Sequence, residues 1–188
     1  MPPRAEPGPT AGPSGTGRAR CRLLVVAAAC ALALAACATD RGDGATAPAG
    51  PGDPDPLEFS AAELGGGRVE GSELVGADTV LWFWAPWCTS CRAEAPDVLE
   101  AAEAFEGRVE VVGVPGRGGT PEMEQFVADT GIGELRHAVD ADGGIWRRFG
   151  IIGQPAFAFV DDDGPVVVVN GGLGLEALTE RMAGLTTS

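Results

Sequence analysis

Residues 79–105 constrain the fold more than any other stretch. Thr79 to Trp84 (TVLWFW) is a short, continuous run of bulky side chains with no Gly or Pro. Such a run reads as a central strand buried on both faces. Arg92 to Phe105 then takes up helical spacing, with Ala93, Val98, Ala101, Ala102 and Phe105 available for a core face, and Gly107 ends it. Two cysteines, Cys88 and Cys91, fall where the strand turns into the helix.

The rest of the chain supplies elements for a sheet around that strand. Leu57-Glu58-Phe59 opens an irregular β region, and Gly65-Gly66-Gly67 marks a turn. Val109 to Val114 reads as a second buried strand. Thr120-Pro121 reads as an N-cap followed by proline at the first helical position, with the helix running to about Thr130 and stopping at Gly131. A short strand over Leu135 to Val139 and a brief helix over Ile145 to Phe149 follow. Ala156 to Val160 and Val166 to Val169 form an antiparallel hairpin across Asp161-Asp162-Asp163-Gly164. Leu175 to Met182 is a closing helix. The order β-α-β-α-β-α-β-β-α implies an α/β fold: a mixed central sheet with helices on both faces.

The N-terminus reads as an address. Arg18, Arg20 and Arg22 precede an apolar run from Leu23 to Ala36. That run is short of the ~20 residues a membrane span needs and suits a signal-peptide core. It ends in Leu34-Ala35-Ala36-Cys37, which resembles the bacterial lipobox, whose cysteine is acylated and becomes the new N-terminus. The expected organisation is a signal peptide over 1–36, a lipidated and flexible Ala/Gly/Pro-rich linker over 37–56, and a folded domain over 57–188. The expected location is the extracytoplasmic face of the cell membrane, held by the lipid on Cys37. Ordinary cleavage and secretion is the alternative. Cys21 and Cys30 leave with the signal peptide, so only Cys88 and Cys91 remain as thiols.

Charge narrows the partners. The chain carries a formal net charge of −14. Residues 1–36 hold four arginines and one acid, which leaves nine arginines against 26 acidic side chains in the remainder. A surface this acidic repels phosphate backbones, so nucleic acid is not an expected partner.

Cys88 and Cys91, two residues apart, can close a small disulfide. At a helix N-terminus, unpaired backbone N–H groups and the macrodipole favour a thiolate. Cys88 is therefore the expected nucleophile, and Cys91, a turn further in, the resolving thiol. A zinc site would need a second ligand pair. The mature chain offers no further thiol but the lipidated one, and His137 is its only histidine. No metal and no cofactor beyond the redox-active disulfide are expected. His137 reads as a surface or strand residue.

The stretch Phe83-Trp84-Ala85-Pro86-Trp87-Cys88-Thr89-Ser90-Cys91-Arg92-Ala93-Glu94-Ala95-Pro96 closely resembles the active-site strand and helix of extracytoplasmic thioredoxins of the TlpA/ResA and DsbE-like groups. The resemblance covers about Leu57 to Leu185. It implies a thioredoxin fold in which Pro96 kinks the first helix and Trp84, Pro86, Thr89 and Ser90 support the pair. Gln154-Pro155 resembles the family's cis-proline loop, which implies that Gln154 offers backbone groups to a substrate strand beside the disulfide, with Trp87 and Pro155 completing the binding surface. Trp84 and Trp87 are expected to pack around the disulfide, and Trp146 in the core. Thr120 to Gly144 resembles the TlpA-like helix–strand insertion, and Gly171 to Gly174 the bend before the last helix. Trp82 stands where many thioredoxins carry a buried Asp as proton relay. Glu94 is a substitute candidate, although the plainer expectation for a helix acid is solvation.

The resemblance implies exchange of the Cys88–Cys91 disulfide with cysteines of exported proteins, recharged by a membrane redox partner. One alternative is a reductase for cytochrome c maturation or copper-protein thiols. Another, of a different class, is a thioredoxin-fold lipoprotein that binds without turnover. A thiol peroxidase would need a Thr and an Arg in that family's arrangement around the cysteine. Arg92 follows the pair, but the full pattern is missing.

Overall fold

A computed structural model describes residues 55–163 and 165–187. The expected signal peptide over 1–36, the expected lipidation site Cys37, the expected linker up to residue 54, and Gly164 lie outside the described residues. Seven strands run β1 Ser60–Glu63, β2 Arg68–Glu70, β3 Thr79–Trp84, β4 Glu110–Pro115, β5 Arg136–Val139, β6 Ala156–Val160 and β7 Val167–Asn170. Four helices are α1 Thr89–Ala104, α2 Thr120–Thr130, α3 Gly144–Arg148 and α4 Leu175–Leu185, with a 3-10 turn at Gly71–Leu74.

The sheet order is β2-β1-β5-β4-β3-β6-β7. β3 pairs in parallel with β4, and β4 with β5; the other pairings are antiparallel. Parallel neighbours need crossovers, which α1 and α2 provide. The α2–β5 pair is the helix–strand insertion expected over Thr120 to Gly144, and it sets β5 between β4 and β1.

Every residue of β3 is buried. Alternation sends Val80, Trp82 and Trp84 into a core shared with Val98 of α1, Phe126 of α2 and Met182 of α4. It sends Leu81 and Phe83 into a second core on the opposite face, with Val112, Trp146 and Phe149. Phe83 meets the Trp146 ring edge-on, centroids 6.0 Å apart. Burying a side chain such as Phe83 contributes about 1.5–3 kcal/mol, so both faces of the sheet are anchored through this one strand. β3 delivers the chain at its carboxyl end, where open α/β sheets place their ligand sites.

Several boundaries differ from the sequence reading. α1 starts at Thr89 rather than Arg92, because Cys88 itself caps it. Thr120 is the first residue of α2, and Gly119 takes the cap position without a side-chain bond. The irregular region after Leu57 resolves into a hairpin of β1 and β2 around Gly65–Gly67, all at positive φ. α4 extends to Leu185 rather than ending at Met182, and Gly174 takes its cap position after the expected bend, which falls at Gly171. Among the described residues no helix is long and apolar enough to cross a membrane.

Candidate active site

The site begins where β3 stops. Cys88 has extended backbone angles, φ −77° and ψ 110°, and occupies the N-cap of α1. Its Sγ accepts a hydrogen bond from the Cys91 backbone N–H at 3.1 Å, as a capping oxygen would. Cys88 and Cys91 are joined by a disulfide with Cα atoms 5.3 Å apart. The Ser90 hydroxyl lies 3.3 Å from Cys88 Sγ. Cys91 is fully buried, whereas Cys88 keeps 5% exposure, so solvent reaches the pair through Cys88. Pro96 sits inside α1 and has no N–H to give to the Arg92 carbonyl.

The Gln154–Pro155 peptide bond is cis. β3 and β6 are paired up to Phe83 and Ala156. One step further, that register sets Pro155 opposite Trp84. Glu94 also reaches this region: a Cβ on Gly172 would lie 2.8 Å from Glu94 Oε1 and 3.4 Å from Pro155 Cγ. The structure thus brings Trp84, Cys88, Cys91, Glu94 and Pro155 to one end of the sheet.

Glu94 departs from the solvated helix acid expected. It is 8% exposed. Trp82 Nε1 donates to its Oε2 at 2.9 Å, and the Leu173 N–H donates to its Oε1 at 2.6 Å. Burial raises its carboxyl to about 7, against the lowering exerted by these two bonds. Trp82, standing where many thioredoxins carry a relay Asp, therefore holds an acid contributed by α1. Cys91 and Glu94, three residues apart, share a face of that helix.

Trp84 packs in the same core as both cysteines. Trp87 is 60% exposed, and its Nε1 donates to the Arg117 carbonyl at 2.8 Å. His137 lies on β5 and is buried. Its Nε2 lies 3.1 Å from the Ile132 carbonyl, and burial lowers its pKa. A neutral ring donating from Nε2 leaves Nδ1 as an acceptor, facing Trp84 Nε1 across the space above Gly113. Arg117 had no signal in the sequence beyond a loop position between two glycines.

The AhpC/TSA family model matches residues 51–169. The chain belongs to the AhpC/TSA family. Within it, this member is 38% identical to the soluble secreted antigen MPT53 of Mycobacterium tuberculosis over 134 residues, which is 70% of this chain and 76% of MPT53. Two solved structures are also similar. MTB DsbF, in mixed oxidised and reduced forms, shares 43% identity with a TM-score of 0.68, over 71% of this chain and 98% of that one. A secreted Mycobacterium tuberculosis disulfide oxidoreductase homologous to E. coli DsbE shares 38% identity with a TM-score of 0.65, over 69% of this chain and 98% of that one. The fold of this AhpC/TSA member is that of thioredoxin, and its class is thiol–disulfide oxidoreductase.

Proposed function

We propose that the protein exchanges its Cys88–Cys91 disulfide with cysteines of exported proteins, with Cys88 as the attacking and attacked sulfur. The observation that carries this is the capping geometry: Cys88 Sγ sits at the first turn of α1, bonded to the Cys91 N–H, and Cys88 is the member of the pair that keeps some solvent exposure. In the reducing half-reaction the Cys88 thiolate attacks a substrate disulfide. A mixed disulfide forms and one substrate thiolate leaves. Cys91 then loses its proton, attacks Cys88 Sγ and releases the second thiolate, so two electrons pass to the substrate. The oxidising half-reaction is the reverse. Glu94, whose carboxyl burial raises to about 7 and which lies on the same helix face as Cys91, takes and returns the Cys91 proton in this reading. Gln154 and Pro155 offer the edge on which a substrate strand lies, and Trp87 an apolar surface beside it. The disulfide is the only redox group this reading requires. Insulin reduction and ribonuclease refolding, each with Cys88→Ser as control, test it.

A peroxidase reading is not favoured. Arg92 is engaged away from the sulfur: it pairs with Asp129 at 3.2 Å and lies over the Phe126 ring at 4.8 Å.

The proposed location is the outer face of the cell membrane, through a lipid on Cys37, with a membrane redox partner recharging the pair. MPT53 is described as soluble and secreted, which makes secretion the competing outcome. Full-length protein expressed in an actinobacterial host partitions into the detergent phase of Triton X-114, and Cys37→Ala moves it to the aqueous phase. Aqueous partition of the unaltered chain refutes the anchor.

A further inference from the structure

Arg117 lies in the loop between β4 and α2, far in sequence from both the cysteines and Pro155. Glycines aside, it alone among the described residues has a positive φ, 57°, a conformation that side-chain-bearing residues rarely adopt. The loop is pressed onto the active-site turn. The Gly116 N–H donates to the Trp84 carbonyl at 3.0 Å. A Cβ at Gly116 would approach the Trp146 ring to 2.9 Å, and one at Gly118 would overlap Pro86.

In this position Arg117 faces two ways. Its carbonyl accepts the Trp87 indole N–H at 2.8 Å. Its guanidinium donates from Nη1 to Gln154 Oε1 at 3.1 Å and from Nη2 to the Ile152 carbonyl at 3.3 Å. The same group lies 4.6 Å from the centroid of the buried Trp146 ring, which fixes its plane. One residue therefore ties the loop carrying Trp87 to the loop that leads into Pro155. Each loop displays an exposed apolar side chain, Trp87 at 60% and Ile152 at 81%. Among the described residues no carboxylate forms a salt bridge with Arg117. Its polar bonds are spent on positioning.

We propose that Arg117 is a positioning residue for polypeptide substrates: it holds Gln154 and Trp87 at the separation a cysteine-bearing peptide needs, and so favours peptides over small disulfides. The proposal rests on the exchange function above. A small disulfide needs only the Cys88 sulfur, whereas a peptide needs the edges on both sides of it. Lysine cannot replace Arg117, because a single ammonium does not reproduce a planar fork that reaches two acceptors.

The test uses reduced full chain and two disulfide substrates, a synthetic peptide closed by one disulfide and the small disulfide cystamine. Two electrons pass from the Cys88/Cys91 dithiol to either substrate. Arg117→Gly removes the side chain while relaxing the positive φ, so the backbone stays folded. The half-saturating peptide concentration rises about tenfold in Arg117→Gly, while the maximal rate moves less than about threefold. The peptide-to-cystamine rate ratio falls by a similar factor, and Arg117→Lys stays within about threefold of Arg117→Gly. A general folding defect would lower both rates together and preserve the ratio. A preserved ratio in an active Arg117→Gly protein overturns this inference alone. Wild-type exchange no faster than that of Cys88→Ser overturns the exchange function and this inference with it.

Discussion

Cys88→Ser reduces disulfide exchange to the uncatalysed background, a loss of ~10³-fold or more, while Cys91→Ser stalls after the first step. The two variants differ because the two sulfurs are placed differently. Cys88 caps α1 and keeps 5% exposure; Cys91 is fully buried behind it. A hydroxyl at position 88 caps the helix as well as sulfur does, so the fold is retained and the loss is chemical. Serine at position 91 leaves the attacking sulfur in place but removes the thiol that releases the substrate. The Cys91→Ser protein therefore accumulates as a mixed disulfide with the peptide, visible as a mass increase on non-reducing mass spectrometry. Insulin reduction compared across wild type and both variants reads the rates. Equal rates in wild type and Cys88→Ser would instead describe a thioredoxin-fold module that binds without turnover.

Glu94→Gln produces the second large effect, and its size depends on pH. An ordinary glutamate titrates at 4.5, and burial raises Glu94 to about 7 in the folded protein. Between these values the folded state holds a proton that the unfolded chain has released. The contribution of Glu94 to stability is thus full below 4.5 and lost as pH rises through about 7. Discounted for the screening that residual solvent contact provides, the loss is about 2 kcal/mol. Glutamine does not titrate. Urea melts at acidic and alkaline pH therefore show wild type losing about 2 kcal/mol relative to Glu94→Gln between about pH 4.5 and pH 8. Lowering of the His137 pKa acts in the opposite direction, with stability lost as pH falls, but it is common to both proteins and cancels in the difference. Glu94→Gln also slows resolution of the mixed disulfide by ~10²-fold, since a positioned proton acceptor contributes roughly that much. A stability difference independent of pH would place the Glu94 carboxyl in its ordinary range.

β3, α1 and the cysteine pair were legible in the sequence because their signals are local. TVLWFW has no glycine or proline and is buried on both faces, and Cys88 and Cys91 follow four and seven residues after Trp84. The β6–β7 hairpin was legible for the same reason, an apolar run on each side of an Asp-rich turn. The β1–β2 hairpin was less clear, since its short strands are built from Ser, Ala, Arg and Glu with Val69 as their one strand-forming residue. Glu94 misled because nothing near it in the sequence says what covers it. Its partners are Trp82 on β3 and the backbone of Leu173, 79 residues away. Arg117 was invisible for a related reason: a charged residue between glycines reads as an exposed loop until Trp87, Ile152 and Gln154 are seen around it. Tertiary packing decides both residues, and no periodicity reports it.

The central claim is that Cys88, not Cys91, is the sulfur held reactive at the start of α1. Brief alkylation of the reduced protein with iodoacetamide at pH 7, with the labelled residue located by peptide mass spectrometry, tests it most directly. The expected result is modification of Cys88 at least ~10-fold faster than Cys91. Labelling of Cys91 first, or of both at the same rate, would contradict it.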